Sequence, residues 1–172
     1  MRELHTESLF IADPYNESHI KMFAEFEERN GVEKTTTEAW ESLRAKFSEE
    51  QYKEFQKVQN EIMQTIFTME NDSVKDSCFI RGEQDIKTCE LIFAPLKEEP
   101  RGRQLVGIAS NYALNTLGME QIYVSINPND KNLRNSLISK GFEDIGTIEE
   151  NSSSKLTFIK LKEDMKEASR VI

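Results

Sequence analysis

The residues best suited to chemistry lie between Lys87 and Phe142. An apolar run, Thr88 to Ala94, leads into the charged turn Lys97-Glu-Glu-Pro-Arg-Gly-Arg103 and then into an amphipathic stretch from Gln104 to Leu117. A strand feeding a helix through a basic, glycine-containing turn is suited to holding phosphate. The first N–H groups of the helix have no intrahelical partner, and the macrodipole places positive charge there. Arg101 and Arg103 flank Gly102 where they would add full charges. Cys78 and Cys89 fall inside apolar runs and not in a Cys-x-x-Cys spacing, and His5 and His19 are the only histidines, so no zinc or haem set is recognisable. Buried structural thiols in a reducing compartment are expected.

The elements that must position this unit can be read from periodicity. Ser8 to Asp13 predicts an opening strand, and Glu17 to Asn30 a helix with Ile20, Phe23 and Phe26 on one face, Asn16 as N-cap and Asn30-Gly31 as its stop. Thr35 with Glu38 and Ser48 with Gln51 have capping-box spacing, so the stretch carrying Trp40, Leu43, Phe47, Tyr52, Phe55, Val58 and Ile62 is two helices or one bent helix. From Met63 the period changes to two. Gln64 to Met69, Asp76 to Arg81 and Lys87 to Ala94 predict an antiparallel meander with turns at Glu70–Ser73 and Gly82–Asp85. Gly118 ends the central helix, and Gln121 to Ile126 alternates as a strand. Asp130 caps a short helix closed by Gly141-Phe142, and two last strands flank the polar loop Glu149 to Ser154. The tail from Lys162 is expected to be helical or frayed. The expected order is β-α-α-β-β-β-α-β-α-β-β, a mixed α/β (α+β), mostly antiparallel twisted sheet with helices on both faces, formed by residues 1–172 as a single domain.

Composition narrows the function. The 22 Lys plus Arg against 31 Asp plus Glu give a net charge of −9, which argues against a general nucleic-acid binder and suits a cationic substrate. No apolar run approaches the ~20 residues that span a bilayer, and the first residues lack the apolar stretch of a signal peptide, so no membrane partner is expected and a cytoplasmic protein is the default.

This order, together with Leu117-Gly-Met-Glu-Gln-Ile-Tyr-Val-Ser-Ile126 and Asn132-Leu-Arg-Asn-Ser-Leu-Ile-Ser-Lys-Gly-Phe142, resembles the GNAT superfamily of acyl-CoA-dependent N-acyltransferases. The resemblance implies acetyl-CoA (coenzyme A) as co-substrate, no metal, and a small-molecule or protein amine as acceptor. The family's phosphate cradle is [Q/R]-x-x-G-x-[G/A]. Placed from Arg101, it falls on Arg101, Gly102, Arg103, Gln104, Leu105 and Val106, with Gln104 and Val106 where small residues are usual. That register leaves the helix about one turn short, ~3.6 residues; sliding it back would put Glu98 and Glu99 against a polyanion. The resemblance further implies that Ile92, Phe93 and Ala94 bind the pantetheine arm as an added strand. Glu90 becomes the candidate general base, although a strand carboxylate paired with a neighbouring basic residue reads the same way. Asp130 takes the place of the Asn that opens the last short helix. The family's thiolate-protonating Tyr falls on Leu137, with Ser136, Ser139 and Tyr123 as the nearest hydroxyls.

The reading is therefore an N-acetyltransferase that moves an acetyl group to a primary amine by direct attack. An inactive GNAT-like acyl-CoA-binding or interaction module, and an α/β domain that binds no acyl-CoA, stay open beside it. The acceptor stays open too, as does the oligomeric state, a homodimer included.

Overall fold

The structure is a computed structural model that describes residues 8–150 and 153–163; the tail beyond Glu163 and His5 lie outside the described residues. Its elements are β1 (Phe10–Ile11), α1 (Glu17–Arg29), α2 (Thr35–Lys46), α3 (Glu49–Val58), β2 (Glu61–Glu70), β3 (Ser73–Glu83), β4 (Thr88–Phe93), α4 (Gln104–Asn111), β5 (Gln121–Ile126), α5 (Lys131–Ser139), β6 (Glu143–Glu150) and β7 (Ser153–Leu161). Among the described residues seven strands lie in the order β1-β2-β3-β4-β5-β7-β6. Each pairing is antiparallel except β4 with β5.

Three helices precede β2, one more than the expected order, because the stretch after α1 is two helices and not one bent helix. Phe47 adopts extended backbone angles that break the stretch, and Ser48 then starts α3 with the expected capping box to Gln51. The other expected box does not form. Lys34 is the N-cap of α2 without a side-chain bond, and the Thr37 N–H is instead satisfied by the Glu27 carboxylate from α1 at 3.1 Å. Ile62, expected to close the helical stripe, belongs to β2, because its partner across the ladder is Gly82. The β2–β3 turn is tighter than expected. Asn71 and Asp72 both take positive φ (52° and 61°), the conformation of a two-residue hairpin turn. The second turn lies later than Gly82, since β3 runs on to Glu83. Beyond Asn111, the central helix widens into a π turn over Tyr112–Thr116, and Gly118 ends it at φ 74°.

Alternation places one row of side chains under α4 and α5. Ile66, Cys78, Ile80, Cys89, Leu91, Ile122, Val124 and Phe158 form that core with Leu105, Val106, Ala109 and Leu137. On the opposite face, Phe67 and Val74 pack against Phe23, Phe26 and Trp40 of α1 and α2. Both cysteines are free and buried; burial pushes the Cys78 thiol well up and the Cys89 thiol up to about 12, so both stay protonated and inert.

A buried ion pair fixes the turn between β4 and α4. Arg103, 3% exposed, donates from Nε and Nη2 to the Asp76 carboxylate of β3 at 2.8 and 2.7 Å. Nη2 also donates to the Ala94 carbonyl at 2.5 Å, and the guanidinium lies 5.3 Å over the Phe93 ring. The Arg103 backbone N–H donates to Ser136 Oγ of α5 at 3.0 Å. Burial works against the Arg103 charge, but the Asp76 carboxylate more than offsets it and holds the guanidinium above its usual range.

Two stability outcomes are expected in urea titrations. Asp76→Asn leaves the buried guanidinium only the more distant Glu99 carboxylate, 3.6 Å from Nη1, and should cost about 3–5 kcal/mol. At Gly82 an added Cβ would stand 2.5 Å from Cys89 Cβ and 2.6 Å from the Thr88 carbonyl, so Gly82→Ala should cost about 1–3 kcal/mol. Gly102, where an added Cβ would meet nothing within 4 Å, should accept Ala within about 0.5 kcal/mol.

Candidate active site

The site begins where β4 and β5 part. They pair in parallel at Thr88–Gln121, Cys89–Ile122 and Glu90–Tyr123, and pairing then stops although each strand continues for three residues. β4 stays bound to β3 as far as Phe93, and β5 stays bound to β7 along its whole length. The result is a fork whose unpaired edges face one another, and the starts of α4 and α5 stand beyond its open end. A parallel sheet offers its ligand crevice at such a point.

Ladder parity decides which backbone groups face the fork. The Ala94 N–H bonds to the Ser77 carbonyl, which makes Ala94–Ser77 and Ile92–Phe79 the hydrogen-bonded pairs. Phe93 is the non-bonded residue between them, so its N–H and C=O point away from β3 and into the fork. Of the three residues expected to hold the pantetheine arm, Phe93 alone offers main-chain groups there. Ile92 bonds to β3, and Ala94 is occupied by Ser77 and Arg103.

At the apex stand Glu90 and Tyr123, the last paired residues, on the sheet face opposite α4 and α5. Glu90 Oε2 accepts from Arg81 Nη2 at 2.9 Å, with the Glu90 side chain 15% exposed and the arginine mostly in solvent. Burial, and then the Glu90 charge, push the Tyr123 hydroxyl up, so it stays protonated as a donor. The structure thus brings together a carboxylate and a hydroxyl at the fork. Glu90 and Tyr123 are each named from the sequence, but their pairing across β4 and β5 cannot be read there. Leu137, by contrast, is fully buried in the core and has no role at the fork.

The turn residues divide. Arg101 and Gly102 are exposed at the start of α4, and α4 carries no side-chain cap among the described residues. Arg103 is withdrawn from the surface by Asp76, and its N–H is taken by Ser136. Its expected service at a phosphate is replaced by a structural one. Gln104 opens the helix, whereas the Leu105 and Val106 side chains enter the core. Asp130 caps α5 through the Leu133 N–H at 3.2 Å. Burial, and then the neighbouring Asp130 carboxylate, raise the Glu99 carboxyl to about 7 against the pull of Arg103, and the Glu99 carbonyl accepts from Asn132 Nδ2 at 3.0 Å. The cradle pattern is also spelled letter for letter by Gln104-Leu-Val-Gly-Ile-Ala109. There, however, Gly107 lies a turn inside α4 under the Lys140 stem, 3.0 Å from its Cε at the Cβ position. From Arg101, the fourth position of the pattern coincides with the first residue of the helix.

On the sheet face that carries Glu90, α1, α2 and the ends of β3 and β4 enclose a cavity of about 580 Å³. Phe23, Phe26, Trp40 and Phe79 line it, and it reaches Phe93 and Ala94 at the open end of the fork. Glu27 borders it. This residue was hidden in the sequence among surface acids, yet it follows Phe23 by four and so falls on the apolar stripe of α1.

No family model and no curated protein matches the sequence. Solved structures do match. A ribosomal-protein-S5-alanine acetyltransferase from Vibrio fischeri superposes with a TM-score of 0.70 at 13% identity, covering 95% of this chain and 97% of that one. The spermidine/spermine N-acetyltransferase SpeG of Vibrio cholerae gives a TM-score of 0.61 at 13% identity, over 95% and 99%. An acetyltransferase from Salmonella typhimurium that modifies the N-terminal serine of ribosomal protein L7/L12 gives 0.63 at 12% identity, over 92% and 96%. The chain has the fold of the GNAT acetyltransferases along nearly its whole length.

Proposed function

We propose that this protein transfers an acetyl group from acetyl-CoA to a primary amine by direct attack of the amine on the thioester. The observation that carries the reading is the fork. Its inner edge presents the Phe93 N–H and C=O, and an uncapped helix start stands at its mouth beside Arg101. These features fit a long thioester with a peptide-like arm and a diphosphate. The arm would lie along Phe93 as an added strand, and the phosphates would take the first N–H groups of α4 with Arg101 and Gly102. When bound, acetyl-CoA supplies the activated acyl group.

The residues of the chain then have separable tasks. The fork holds the reacting groups together, and the Phe93 N–H offers a hydrogen bond to a carbonyl oxygen. Glu90, held in place by Arg81, takes the proton that the attacking amine must shed, directly or through water. Tyr123, kept protonated, holds the hydroxyl suited to return a proton to the departing thiolate.

A second reading, a GNAT-like binding or interaction module without turnover, is favoured by one observation. The mouth of the fork carries Glu98, Glu99 and Asp130 around the exposed Arg101, which opposes a polyanion.

Acetyl-CoA should raise the melting temperature, because a ligand at 100 times its Kd adds ~2.7 kcal/mol to stability. No shift at millimolar acetyl-CoA would exclude the acyltransferase reading and, of the second, leave only an interaction module that binds no acyl-CoA. Glu90→Gln should lower kcat by about 10²–10⁴ and leave the acetyl-CoA shift unchanged. Normal turnover by that variant, followed as thiol release, would remove Glu90 from the reaction.

A further inference from the structure

One carboxylate in the wall of the cavity behind the fork has an oxygen that the fold does not explain. Glu27 is 4% exposed, and its Oε1 accepts from the Thr37 N–H at 3.1 Å. Its Oε2 is buried and has no hydrogen-bond partner among the described residues. Burial pushes the carboxyl up, against hydrogen bonds from both the backbone and the side chain of Thr37. A buried carboxylate oxygen left without a donor forfeits the hydrogen bonds that water would give it. The capping of α2 accounts for one oxygen only, and a neutral glutamine would cap equally well.

The surroundings of Glu27 indicate what the second oxygen is for. Among the described residues, the cavity walls include two carboxylates, Glu27 and Glu33, and no lysine, arginine or histidine. Lys34, at the start of α2, is the weakest influence on Glu27 and does not line the cavity. The remaining walls are mainly apolar and aromatic, with Phe23, Phe26 and Trp40 beside the carboxylate. Faces of such rings attract cations, and their area accepts a hydrocarbon stem. The last torsion of a glutamate is soft, so Oε2 turns toward a guest at little cost.

We propose that this cavity binds a primary ammonium group on an apolar stem, with Glu27 as its counter-charge. The inference rests on the acyltransferase reading for its biological meaning: the cavity opens on Phe93 and Ala94, so it would seat the cationic end of the acceptor on the same sheet face as Glu90. The binding itself does not depend on acetyl-CoA, which keeps the two readings separable.

Trp40 is the only tryptophan and lies in the cavity wall, so its fluorescence reports occupancy. n-Hexylamine, protonated at neutral pH, should perturb Trp40 saturably, while n-hexanol of equal stem length should bind roughly tenfold or more weakly. Glu27→Gln should lose at least about tenfold in amine affinity and keep its affinity for hexanol and its thermal shift with acetyl-CoA. Equal responses of the unmodified protein to amine and alcohol would overturn the proposal, and that comparison needs no variant. So would amine binding by Glu27→Gln as tight as before. Amine selectivity without any acetyl-CoA shift defeats the acyltransferase reading alone; an acetyl-CoA shift without amine selectivity defeats the Glu27 assignment alone.

Discussion

The guanidinium of Arg103 is the tie on which the geometry of the fork depends. It bonds to β3 through Asp76 and to the end of β4 through the Ala94 carbonyl, and it covers Phe93. The backbone of the same residue bonds to α5 through Ser136. With Ala94 also bonded to Ser77, the chain leaving β4 is drawn toward β3 and away from β5. The parting of β4 from β5 is then a consequence of competition. Thr88 to Glu90 pair with both β3 and β5, so it is the diversion of the chain end at Ala94, not pairing with β3 as such, that holds β4 off β5 beyond Glu90. A buried ion pair rarely adds net stability over an apolar replacement, but it is directional, and direction is what an open edge inside a sheet requires.

That competition explains why the fold was legible in the sequence and the site only in part. Elements whose limits depend on near neighbours were readable: β5 has the expected bounds, Asp130 caps α5, Ser48 and Gln51 form their box, and Gly118 ends the central helix. Where the deciding partner is remote, local chemistry misled. Thr35 and Glu38 have the spacing of a capping box, yet Glu27, ten residues before Thr37, reaches the helix start first. Arg103 reads as a surface charge beside Arg101, and only the proximity of Asp76, 27 residues upstream, takes it inside. Ile62 suits a helical stripe by period but is claimed by its ladder partner on β3.

The apex shows the same limit from another side. Glu90 and Tyr123 are 33 positions apart, and nothing local to either relates them. The crossover through α4 sets them side by side, and the loss of pairing beyond them makes that couple the end of the closed sheet. Arg81 satisfies Glu90 from the third strand, which fixes the carboxylate without neutralising its reach toward the fork.

The same negative charge has opposite consequences on the two sides of this strand end. The chain carries a net charge of −9, and at the mouth of the fork two acidic neighbours, Glu98 and Glu99, stand on the turn itself. Affinity for a polyanion there must come from short-range, directed donors, namely the helix start and the Phe93 edge, since the long-range field opposes it. Behind the fork the same field favours a cation, and the burial of Glu27 strengthens the local attraction because little solvent screens it. Such a surface would admit an ammonium-bearing acceptor by electrostatics and hold an acyl donor by shape. It would select the two substrates by different physics on the two faces of one strand.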